Sequence, residues 1–96
     1  MDIESLRNAA DEAPPAGAGL ALQALWWDAR GDWAKAHHCA QEQDDAAGAW
    51  VHAYLHRKEG DAANAGYWYR RAGKPAATGP LEAEWRAIAE ALLAAG

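Results

Sequence analysis

The sequence predicts an all-α fold, and three observations carry that expectation. Alanine dominates the 51% apolar content, and alanine both forms helices best and lets them pack closely. β-branched apolar residues are scarce: Val51 is the only valine, Ile3 and Ile88 are the only isoleucines, and phenylalanine does not occur. That composition argues against a sheet. Apolar residues recur at helical spacing, in stretches punctuated by Gly-Asp pairs and prolines. At 96 residues the chain is expected to be one domain with one modest core, since a chain this short buries only about 60–65% of its unfolded surface.

The elements follow in order. Residues 2–13 form a short amphipathic helix with Ile3, Leu6 and Ala10 on one stripe and Asp2 as its cap. Pro14-Pro15 ends it, because the residue before a proline is pushed out of the α region, and 14–19 is a linker. The next helix, 20–30, turns Leu22, Leu25, Trp26 and Ala29 one way, and Gly31-Asp32 stops it and caps its successor. Residues 33–43 present Trp33, Ala36, His37 and Ala40, and Asp44-Asp45 supplies the following turn and cap. Residues 46–59 carry Trp50, Val51, Tyr54 and Leu55 before Gly60-Asp61. A fifth helix then bears Ala62, Ala65, Trp68, Tyr69 and Ala72, ended by Gly73 with Pro75 just beyond. Pro80 suits the start of a last helix, 81–95, which buries Leu81, Trp85, Ile88 and Leu92. Helices joined by such short turns must lie largely antiparallel to their neighbours. Residues 20–72 thus read as hairpins and 80–95 as a helix capping them.

Composition also limits function. A net charge of −5 disfavours general nucleic-acid binding by phosphate neutralisation. Within 57–75, however, Arg57, Lys58, Arg70, Arg71 and Lys74 face only Glu59 and Asp61. A solvated face explains this run, and a patch for a phosphate or an acidic partner is the functional alternative. The lone Cys39 can form no internal disulfide, the N-terminus lacks signal-peptide features, and no apolar run approaches the roughly 18 residues of a membrane span. A cytoplasmic protein without membrane contact is expected. The six tryptophans are expected mostly in the core, filling space between alanine-lined helices, with one or two on a surface that binds a partner.

The segments Arg30-Gly31-Asp32-Trp33-Ala34-Lys35-Ala36 and Glu59-Gly60-Asp61-Ala62-Ala63-Asn64-Ala65 share a helix end, a Gly-Asp turn and an alanine at the same place in the next helix. Residues 50–75 resemble a tetratricopeptide repeat, and the ending Ala65-Gly66-Tyr67-Trp68-Tyr69-Arg70-Arg71-Ala72-Gly73 is similar to the Sel-like subclass. The unit before it, 22–43, shares the turn and lacks the second-helix aromatic. The resemblance implies helix hairpins, stacked as a short right-handed superhelix or gathered into a compact bundle, and binding of a protein partner.

No glycine-rich phosphate loop, Cys-x-x-Cys pair or nucleophile elbow occurs. The leading expectation is therefore a non-enzymatic protein, without a cofactor, that acts through another protein or through self-association. The candidate contact residues are Trp50, Arg57, Asn64, Tyr67, Trp68 and Arg71, with a small-ligand pocket at Trp50, Tyr67 and Trp68 as one variant. The rival is a metal-binding protein or metal-dependent enzyme. His52 and His56 share a helix face, Glu59 continues it, and His38 falls at a similar height across the turn. Imidazoles with a carboxylate suit zinc or another transition metal. Neutral histidines satisfied within a polar helix interface would account for the same residues, and proton transfer near neutral pH is a further use for them.

Overall fold

The computed structural model describes residues 2–8, 13–15 and 17–95. These form six helices: α1 (Ile3–Asn8), α2 (Leu20–Ala29), α3 (Trp33–Glu42), α4 (Ala46–Lys58), α5 (Ala62–Ala72) and α6 (Leu81–Ala95). The described residues contain no strand. None of the helices is long and apolar enough to cross a membrane.

The repeated Gly-Asp signal is a repeated backbone turn. At the end of α2, Gly31 N–H bonds Asp28 C=O and Asp32 N–H bonds Trp27 C=O; at the end of α4, Gly60 N–H bonds Arg57 C=O and Asp61 N–H bonds His56 C=O. Both are Schellman motifs, which require a left-handed residue and so favour glycine: φ is +81° at Gly31 and +89° at Gly60. The following aspartates adopt nearly the same conformation (φ −100°, ψ 79° and φ −97°, ψ 77°). Each caps the next helix, Asp32 accepting from Lys35 N–H and Asp61 from Asn64 N–H, both at 3.1 Å. One residue thus closes the old helix and opens the new one, and Ala36 and Ala65 pack fully into the angle behind it.

The turn between α3 and α4 is built differently. Gly48 sits so close to Gln43 that a Cβ there would lie 1.8 Å from the Gln43 carbonyl oxygen. Its N–H is capped by Asp45 at 2.9 Å. Gln43 reaches back across the hairpin, where its side-chain oxygen accepts from Ala21 N–H at 2.8 Å. That bond caps α2, whose own cap residue, Gly19, has no side chain to do so. The end of α3 therefore meets the start of α2.

Leu6, Leu25, Trp26, Val51, Leu55, Trp85 and Ile88 are the large side chains fully buried in the centre. They come from α1, α2, α4 and α6. The short α1 is thus docked: Leu6 is fully buried, Arg7 pairs with Glu82 at 2.6 Å, and Arg30 donates to the Leu6 carbonyl at 2.9 Å. Ala10, expected on its stripe, lies outside the described residues. A second, smaller cluster joins Ala53, Ala65 and Tyr69. The Cα radius of gyration is 12.0 Å, close to the roughly 13 Å of a compact 100-residue domain.

Only Trp26 and Trp85 of the six indoles are fully buried. Trp27, Trp33, Trp50 and Trp68 are partly buried at the rim, because an indole wider than a helix-to-helix gap cannot be covered from all sides by alanine. Lys35 lies over Trp27 and Lys74 over Trp50, each at 4.3 Å.

Two buried carboxylates tie α4 to its neighbours. Asp28 accepts from the Tyr54 hydroxyl at 2.7 Å and from Lys58 Nζ at 2.8 Å. Glu84 accepts from Arg57 at 2.9 Å and from the Tyr69 hydroxyl. Burial, and then the hydrogen bond to the carboxylate, raise both phenols above the ordinary tyrosine range.

Candidate metal centre

α4 is the most enclosed helix, with residues 51–56 all buried. One side of it carries His52 and His56, a turn apart and stacked at 4.8 Å. α3 brings His37 edge-on to both, with ring centroids 4.6 Å from His52 and 5.2 Å from His56. One nitrogen from each of the three imidazoles lies within 4.8 Å of those of the other two. Indoles close the group at both ends: Trp33 stacks on His37 at 4.8 Å, and Trp68 from α5 stacks on His52 at 3.8 Å. The Trp33 ring is held by its N–H bond to the Leu55 carbonyl at 2.9 Å.

The hydrogen bonding of the cluster is incomplete. His56 Nδ1 meets Glu59 Oε1 at 2.6 Å, so the ring donates through Nδ1 and turns Nε2 toward the other two imidazoles. The Asn64 amide nitrogen is 3.5 Å from that Nε2. His52 is 4% exposed, yet neither it nor His37 hydrogen-bonds to any described residue. Burial and the two neighbouring imidazoles push His52 down to about 4, with Arg71 adding to the effect. Burial and then His56 lower His37 as well. At neutral pH both rings are therefore uncharged and present lone pairs, the form that binds metal.

The structure brings His37, not His38, into the cluster. His38 is exposed on the far side of α3, beside a cavity of about 360 Å³ that it lines with Trp27, Lys35 and Cys39. Burial raises the Cys39 thiol, so its reactive thiolate form is disfavoured. Adjacent helical residues point about 100° apart, so equal height across a hairpin could not choose between the two histidines. A signal was present in the sequence: His37 falls on the same helical stripe as Trp33, Ala36 and Ala40. Glu59 also differs from expectation. Its carboxylate groups with His56 and Asp61 rather than with all three imidazoles, so it orients His56 from behind, as carboxylates do behind metal-bound histidines.

The expected contact residues divide. Arg57 points inward to Glu84 and the Gly79 carbonyl and is structural. Trp50 lies under Lys74 beside a cavity of about 420 Å³ that is walled by residues 74–78 and α6 and not by Tyr67 or Trp68, although Trp50 and Trp68 pack on the same small cluster. Asn64 stands at His56. Tyr67, which is 46% exposed, meets Trp68 edge-on at 5.2 Å, and Arg71 lies over both rings. Compared with known protein families, curated proteins and solved structures, the chain matches none.

Proposed function

We propose that this protein binds a transition-metal ion of the zinc class through His37, His52 and Nε2 of His56, with Glu59 orienting His56. One observation carries the reading: three imidazoles converge at a place where two of them have no hydrogen-bond partner among the described residues. Ring nitrogens that no protein group engages remain available as ligands, and imidazole nitrogen is among those a zinc-class ion prefers. The helices supporting it resemble tetratricopeptide-type hairpins, with the duplicated Gly-Asp turn as the shared feature.

Untagged protein dialysed against zinc should retain one ion per chain by elemental analysis and melt at a higher temperature, since binding to the native state alone stabilises it. His37→Ala and His52→Ala should abolish both effects, while His38→Ala should leave them intact. Absence of bound metal, or equal loss in His38→Ala and His37→Ala, would overturn the reading.

A second reading rests on a different observation, the strip on α5 formed by exposed Tyr67 and Arg71 beside half-buried Trp68. Aromatic and arginine side chains of this kind anchor protein interfaces, and self-association or an acidic protein partner would use it. Light scattering of Tyr67→Ala beside the unaltered chain tests self-association: a monomer in both cases removes it.

A further inference from the structure

Resting on the metal reading, we infer that the bound ion keeps a fourth position free of protein ligands and that this position takes a small carboxylate-type oxyanion, with Asn64 as the group that recognises it. The three nitrogens lie within 4.8 Å of one another, and among the described residues no carboxylate or thiol joins all three at that range. The nearest acids are committed elsewhere: Glu59 to His56 Nδ1 at 2.6 Å, Asp61 to capping α5 through Asn64 N–H at 3.1 Å. Cys39 faces the cavity on the far side of α3 with His38. Three protein ligands with an open position are the arrangement of exchangeable metal sites, whereas purely structural sites are closed by four.

Charge selects the occupant. Imidazole ligands offset none of the charge of a divalent ion, so an anionic oxygen is favoured over a neutral one at the ion itself. Glu59 and Asp61 group with His56 on one side, and on the other Arg71, paired with Asp44 at 3.4 Å, lies 5.0 Å over the Trp68 ring that stacks on His52. Asn64 supplies direction. Its amide nitrogen stands 3.5 Å from the Nε2 that the metal would take, so once that lone pair is engaged the N–H is free to donate to an oxygen bound at the ion. The Trp33 and Trp68 faces stacked on His37 and His52 restrict the space, which favours a small ligand.

Cobalt(II) loaded into the protein reports the outcome through its visible d–d spectrum. Titration with acetate should shift the bands in a saturating manner with the protein still holding one cobalt per chain. Asn64→Ala should bind cobalt with unchanged affinity and acetate severalfold more weakly. Stoichiometric cobalt whose spectrum ignores acetate would overturn this inference and leave the metal site standing. Equal acetate affinity in Asn64→Ala would remove the role of Asn64. Failure of cobalt to bind at all would overturn both the site and the inference.

Discussion

The two sides of α4 handle buried polarity in opposite ways. Tyr54 and Lys58 lie on one side, His52 and His56 on the other; the pairs are offset by two residues, or about 200° around the helix. On the first side Asp28 meets both partners, at 2.7 and 2.8 Å, and the buried carboxylate has a phenol and a cation for its two oxygens. On the second side three rings gather and share among them one firm hydrogen bond, His56 to Glu59. A closed network holds helices together. An open one, with ring nitrogens that no protein group claims, is where a ligand can add bonds without breaking any.

The sharpest test of the comparison is Gly48→Ala. A methyl group 1.8 Å from the Gln43 carbonyl must push α3 from α4, since backbone cannot yield as a flexible side chain does. The expected cost is about 3 kcal/mol in denaturant unfolding, together with loss of metal binding as His37 leaves register with His52. Full metal affinity in this variant would show that the site does not depend on that turn.

Next in size is the contrast between Asp28→Ala and His37→Ala. Removing Asp28 strands the buried Tyr54 phenol, while the exposed Lys58 amine returns to water, and should cost about 2 kcal/mol. Removing His37 breaks no hydrogen bond and should cost about 1 kcal/mol, while abolishing metal uptake. Equal costs in urea unfolding would make the imidazole seam as structural as the clamp.

The smallest effect is a pH dependence of the metal-free protein. His52 is held at about 4, below the ordinary 6.5, so the unfolded chain takes up its proton first. The stability contributed by neutral His52 is complete above about pH 6.5 and is lost progressively as the pH falls toward about 4. His37, also lowered, acts in the same direction. His52→Gln should flatten this part of the stability profile, and an unchanged slope would show that His52 is not shielded.

Much of the framework was legible in the sequence because its determinants are local. Gly31-Asp32 and Gly60-Asp61 each act within five residues along the chain, through backbone bonds that any Schellman end makes, and the aspartate caps at Asp32, Asp45 and Asp61 appear where expected. The site was legible only in part. His52 and His56 were placed together by helical spacing. Arg57 read as a surface cation, but its partner Glu84 lies 27 residues away on α6. The choice of His37 over His38 required the rotation of α3 about its own axis.

The sequence by itself determined the helical class, the six segments and the duplicated turn, because propensity, capping and left-handed glycines are properties of short stretches of chain. Tertiary packing decided which imidazoles converge, which carboxylates pair inward and which indoles stay at the rim. Those outcomes depend on how α3, α4 and α5 rotate against one another. That rotation is set by contacts among alanines, indoles and the Gly48–Gln43 approach, acting together across the whole bundle.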